Sequence, residues 1–140
     1  MRTTVGRAPG RVNLIGEHTD YNAGLCLPLA IPQATTVTAT ARDDDTVTLV
    51  SDLQAEPWRG TLDTTGPGHV EGWAAYAVGV LWALREDGWE VPGVDLAVES
   101  TVPMGAGLSS SAALECAVAV AVAGLLDRDL DTALRRRLVE

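Results

Sequence analysis

The sequence contains no lysine; all ten of its basic residues are arginine. A GxxxxGK[ST] phosphate loop is therefore excluded, and so is the lysine of a protein kinase. Any nucleotide chemistry must use another phosphate cradle. Phenylalanine is absent as well. Cysteine is scarce: Cys26 and Cys116 stand far apart, with no CxxC pair and no Cys/His cluster. That pattern indicates neither a zinc site nor a disulfide framework, and it fits two reduced thiols in a cytoplasmic protein. Positive charge is short, because nineteen carboxylates outnumber the arginines and leave a net charge of −9. An acidic chain gains no counterion-release energy on a phosphate backbone, so neither nucleic acid nor an anionic membrane is an expected partner. Long apolar runs are missing. The longest, residues 117–126, has ten members, whereas a membrane-spanning helix needs roughly 20. MRTTVGRAPGR at the start has no apolar h-region, so no secretory signal is expected.

What is present is ordinary for a globular domain. Hydrophobic residues make up 46% and charged residues 21% of 140 positions, a mix that argues against disorder and for one domain with a sizeable core. The first third reads as strands and turns. Residues 3–8 predict a short strand that ends at a Pro9-Gly10 turn, and residues 12–15 form a second apolar segment. Residues 16–24 are polar and turn-rich, which predicts a loop. Residues 26–31 are apolar again, and Pro28 places them at an edge or strand end. TTVTATA (35–41) and TVTLVS (46–51) are β-branched and separated by Arg42-Asp43-Asp44-Asp45, which predicts a hairpin with a charged, solvated turn. From Glu71 to Gly88 the pattern changes. Trp73, Ala77, Val80, Leu81 and Leu84 recur at helical spacing, with Gly88 as the stop. Residues 93–99 alternate as a strand. Residues 109–126 predict a buried Ala-rich helix, and residues 131–139 another. Strands first and helices later predict an α+β domain: a mixed sheet with helices on one face. His69 falls in a turn and is expected at the surface. Arg135-Arg136-Arg137 at the end reads as mid-helix with no stop signal, so the natural polypeptide is expected to continue.

Two segments carry chemistry. The first is VPMGAGLSSSAALE, residues 102–115, between a predicted strand and a predicted helix. Gly105 and Gly107 lack Cβ atoms, so a ligand can approach the backbone. Ser109, Ser110 and Ser111 open the helix, where free N–H groups and the positive dipole end favour an anion. Their hydroxyls suit helix capping, phosphate oxygens or Mg²⁺. A plain tight turn with a serine cap fits the same residues. The second is RAPGRVNLIGEHTDYNAGLCLPLAI, residues 7–31, which packs Glu17, His18 and Asp20 beside Tyr21 and Asn22. Mixed donors and acceptors at that density suit a polyhydroxyl ligand; a metal site and a solvated loop are the rivals.

These strings resemble the signatures of a known family. Pro103, Gly105, Gly107, Leu108, Ser109, Ser110, Ser111 and Ala112 match P-x-G-x-G-L-[GS]-S-S-A, the second signature of the galactokinase, homoserine kinase, mevalonate kinase and phosphomevalonate kinase (GHMP) superfamily. PGRVNLIGEHTDYN-x-G, residues 9–24, resembles the more specific galactokinase signature. The resemblance implies the fold of GHMP kinase N-terminal domains, which is ribosomal protein S5 domain 2-like. It implies a galactose- and ATP-binding N-terminal domain over residues 1–140, without the family's C-terminal domain. The implied reaction is phosphoryl transfer from MgATP to the anomeric hydroxyl of galactose. Arg11 then stabilises charge at the transferring phosphoryl group. Glu17, His18, Thr19 and Asp20 form the sugar loop. Gly105, Ala106, Gly107, Leu108, Ser109, Ser110 and Ser111 form the ATP-phosphate loop, with Ser111 also a Mg²⁺ ligand. GWAAYAVGV, residues 72–80, resembles a further galactokinase helix whose tryptophan lies near the adenine; that role falls on Trp73, with a core tryptophan as the alternative. Family members are more than twice as long, and no residue here matches the family's Asp at the sugar hydroxyl or its Mg²⁺-binding Glu. Alternatives within the resemblance are a kinase for N-acetylgalactosamine or arabinose, a non-catalytic sugar- and ATP-sensing regulator, and an inactive fragment. Oligomeric state is not legible.

Overall fold

The structure is a computed structural model that describes residues 1–19 and 21–139. Its elements in chain order are β1 (Thr3–Ile15), β2 (Leu27–Ala41), β3 (Thr46–Ser51), β4 (Gln54–Thr61), a short 3₁₀ turn (Leu62–Thr64), α1 (Trp73–Glu86), β5 (Val94–Ser100), α2 (Ser110–Leu125) and α3 (Thr132–Val139). The strands form one mixed sheet in the order β1-β2-β5-β3-β4. Among the described residues only the β3–β5 pair is parallel. Period-2 alternation turns Ala8, Val37, Ala39, Val47, Leu49, Val94, Leu96 and Val98 to one face, where all are buried. The opposite face carries Val5, Thr36, Thr38, Thr48 and Val50, which are half-buried or exposed. The helices cover the first face alone, as the strand-then-helix order predicts.

α2 lies on β1 and β2, with α1 and α3 packed beside it. It is apolar almost all round because it is buried between sheet and helices: Ala113, Ala117, Val118, Ala121 and Val122 are all within 2% of full burial. Gly6 lets its backbone come close, since a Cβ there would lie 2.0 Å from the Ala117 carbonyl oxygen. Thr4 Oγ1 donates to the Ala121 carbonyl at 2.6 Å and pins the same contact. α1 buries Ala77, Val80, Leu81 and Leu84 as their spacing predicts, with Ala74 and Val78 buried beside them and Trp73 half-buried. Gly88 follows with φ +84° and donates to the Arg85 carbonyl, so the helix stops where expected.

Two expectations fail. There is no turn at Pro9-Gly10: β1 runs through it. The register passes from Pro9↔Ala34 to Arg11↔Ala30, so three β2 residues (31–33) face the single Gly10. Pro32 among them has no N–H to give a ladder, and the sheet absorbs the proline as an irregularity rather than a turn. Nor do residues 35–41 and 46–51 form a hairpin. β5 lies between β2 and β3. The 42–45 loop steps over the start of β5, with the Arg42 N–H donating to the Gly93 carbonyl at 2.8 Å. The real hairpin is β3–β4, closed by Asp52 and Leu53. Pro28 does sit as its proline status demands, on a stretch of β2 that pairs only with β1.

Candidate functional site

The sheet register gathers the site at one end. Thr35 pairs with Ser100 and Ser51 with Val98, so the middle of β2 and the ends of β3 and β5 lie side by side. β1 and β2 overrun the rest of the sheet there, as a two-stranded ribbon through residues 11–15 and 27–31. The ribbon carries the 16–24 loop at its tip. The 102–109 loop leaves β5 at the same end and enters α2.

The tip loop is tied internally by Thr19. Its hydroxyl donates to the carbonyls of Gly16 at 2.8 Å and Leu25 at 3.0 Å, and its own carbonyl accepts the N–H of Gly24 at 2.7 Å. Thr19 therefore spends its polar atoms on holding the loop. Asn22 Nδ2 donates to the His18 carbonyl, and the His18 ring meets the Tyr21 hydroxyl through Nδ1. Glu17, His18 and Tyr21 stay exposed. Arg11 reaches Glu17 at 3.5 Å, a loose, half-exposed pair rather than a fixed bridge. Asp20 lies outside the described residues.

In the second loop Gly105 and Gly107 both have φ +71°, and nothing lies within 4 Å of where their Cβ atoms would be. The backbone there needs glycine and is open to an approaching ligand. Ala106 is exposed between them, and Leu108 is half-buried. Ser109 opens α2 in the left-handed region (φ 59°) without a side-chain capping bond. Of four non-glycine residues with positive φ among the described residues, three (His18, Ala23 and Ser109) fall in the two motifs, and such conformations cost on the order of 1–3 kcal/mol each. The two motifs touch: the Arg11 N–H donates to the Leu108 carbonyl at 2.9 Å.

Ser110 and Ser111, half-buried, line a cavity of about 90 Å³ whose other walls include Trp73, Tyr76, Leu53 and Met104. Thr35 and Ser100 line it too, their hydroxyls 2.8 Å apart. Ser100 Oγ also accepts the Val102 N–H at 3.2 Å, which steadies the stem of the glycine-serine loop. Trp73 is half-buried, packs against the core and also lines the cavity. Tyr76, Leu53, Met104, Thr35 and Ser100 are site residues that sequence reasoning missed. Tyr76 had a signal, its i+3 spacing from Trp73. Met104 had one too, its place inside the glycine-serine string, whereas Thr35 and Ser100 are brought in by the strand register and Leu53 by the β3–β4 turn. His69 is exposed, as expected, and does not line this cavity. Both cysteines are free, and burial pushes the Cys116 thiol upward. Among the described residues no helix is long and apolar enough to cross a membrane.

A glycine-serine loop without lysine thus opens a buried helix beside the strand that carries Arg11. Residues 75–140 match the N-terminal domain of GHMP kinases, and residues 2–41 match the galactokinase galactose-binding signature. The chain belongs to the GHMP kinase family. Within it, the chain resembles galactokinases: it is 52% identical over 133 residues to a galactokinase of Mycobacterium bovis, covering 95% of this chain and 36% of that protein. Lactococcus lactis galactokinase, solved with galactose, superposes with a TM-score of 0.88 at 34% identity over 98% of this chain and 36% of that one. Methanococcus jannaschii mevalonate kinase shares the fold, with a TM-score of 0.82 at 20% identity, 98% of this chain and 44% of that one. The chain thus spans about a third of the length of the galactokinases it matches.

Proposed function

We propose that the protein transfers the γ-phosphoryl group of ATP to the anomeric hydroxyl of galactose, giving galactose 1-phosphate. Residues 1–140 supply its sugar- and ATP-binding N-terminal domain. The observation that carries the reading is the 2.9 Å hydrogen bond between Arg11 and Leu108, which joins the sugar signature to the phosphate loop. Phosphoryl transfer is mostly positioning and charge stabilisation. The open backbone of Gly105–Gly107 and the start of α2 receive the phosphates. The purine lies in the cavity against Trp73 and Tyr76. Arg11 gives fixed positive charge and several donors to the γ-phosphoryl oxygens. Glu17, His18 and Asp20 take the sugar hydroxyls, and Thr19 holds that loop in shape. Hard hydroxyl oxygens of Ser110 and Ser111 at the cavity wall fit Mg²⁺, with Ser111 as its ligand from this chain. The bound Mg²⁺ would neutralise phosphate charge. A need for ATP, which cells keep inside, supports a cytoplasmic location.

Ser111-Ala112 is intact, whereas sugar-sensing regulators of this fold are altered at that pair, so an enzyme is the reading adopted here. The test is galactose-dependent ADP formation by the intact protein with MgATP, with the sugar phosphate identified by ³¹P NMR and with N-acetylgalactosamine and arabinose run in parallel. Galactose 1-phosphate as the preferred product is expected. Binding of sugar and ATP without turnover would overturn the reading in favour of a sensor, and preference for another sugar would correct the substrate. The 140 residues alone are expected to form no measurable ADP, because none of them matches the family's Asp at the sugar hydroxyl.

A further inference from the structure

We infer that Gly10 is a positioning residue, the point through which the phosphate loop and the sugar-binding ribbon are held in register; this rests on the kinase reading above. Gly10 is not among the glycines with positive φ, so backbone freedom does not explain it. Space does. A Cβ at position 10 would lie 2.8 Å from the Leu108 carbonyl oxygen, 2.9 Å from Ile31 Cδ1 and 3.0 Å from Val102 Cγ1. Val102 and Leu108 are the two feet of the glycine-serine loop, so position 10 touches both. The Leu108 oxygen it would strike is the same one that accepts the Arg11 N–H. Leu108 leads straight into Ser109, whose left-handed backbone starts α2. A side chain at position 10 therefore displaces the loop, tilts the entry to Ser110 and Ser111, and separates them from Arg11 on the next residue. The register irregularity serves the same junction, since opposite Gly10 the ladder is interrupted and the loop docks on β1 there.

Misplacing a reacting group by an ångström costs about 10²-fold in rate. Gly10→Ala in the intact protein should lower kcat by about 10- to 100-fold and raise the KM for ATP, while the KM for galactose changes less than about two-fold. An unchanged kcat and ATP KM in a folded variant would overturn the inference. Adding Ile31→Ala to Gly10→Ala removes one apolar clash and leaves the carbonyl clash. Activity should stay low; recovery would mean that side-chain repacking, not the loop, is what Gly10 protects. If Gly10→Ala does not fold, hydrogen exchange on the unaltered protein decides. MgATP without sugar should protect residues 8–12 together with residues 105–111. Protection of the loop alone would overturn the coupling. Protection of neither, with no galactose-dependent ADP, would overturn the kinase reading and the coupling with it.

Discussion

The same two strands behave differently along their length. Where β1 and β2 lie under α2, every second residue is buried, and Val37 and Ala39 are wholly inaccessible. Where they overrun the sheet, Leu14, Ile15, Leu27 and Leu29 are 51–72% exposed although the residues are no less apolar. Hydrophobicity therefore does not decide which half is core. The partner helix does. The buried half forms the core under α2, and the ribbon carries the 16–24 loop and Arg11 beyond it. Stability should accordingly reside in one half and chemistry at its junction with the other.

Substitutions can break this division. Gly6→Ala puts a methyl group into the α2 backbone and should cost about 3 kcal/mol or more, read by denaturant unfolding. Leu81→Ala, which empties a fully buried site on α1, should cost about 2–5 kcal/mol. Thr35→Val removes one of the two hydrogen bonds of Ser100, leaving that from the Val102 N–H, and should cost about 1 kcal/mol, with a weaker hold on ATP if the cavity is the purine site. Leu27→Ser on the ribbon should change unfolding free energy by no more than about 0.5 kcal/mol. A ribbon substitution as costly as Leu81→Ala would end the distinction between the two halves.

The smallest effect concerns pH. Arg42 donates to Asp44 and to Asp95, and its hydrogen bonds to Asp44, with that of the Thr46 N–H, hold the Asp44 carboxyl well below its ordinary 3.8. A carboxylate depressed in the folded state stabilises above its unfolded value and loses that contribution as pH falls below it. Unfolding midpoints should therefore decline below about pH 4, and Arg42→Gln should flatten that decline. Salt should flatten it too, because the groups are exposed.

The site was more legible than the fold around it. Both motifs stand in the sequence as contiguous strings, so glycines, serines and the arginine were readable before any geometry. The one-face α+β layering followed from element order, and α1 from its period. Strand pairing was not legible. Residues 35–41 and 46–51 are equally β-branched and adjacent in sequence, which is what a hairpin looks like, but β5 is inserted between them by contacts far along the chain. The true hairpin turn, Asp52-Leu53, has no Asn-Gly or other positive-φ signal. β4 is polar and contains Pro57, tolerated because β4 is an edge strand. Thr35 likewise reads as one threonine among several, and only the register turns it into the cavity wall.

The central claim is that the ribbon brings Arg11 to the phosphate loop for catalysis rather than for sugar binding. Steady-state kinetics of Arg11→Ala in the intact protein test it most directly. The account predicts a kcat lower by about 10³-fold, with the galactose KM within a few-fold of the unaltered protein. Loss of galactose affinity at unchanged turnover would contradict it.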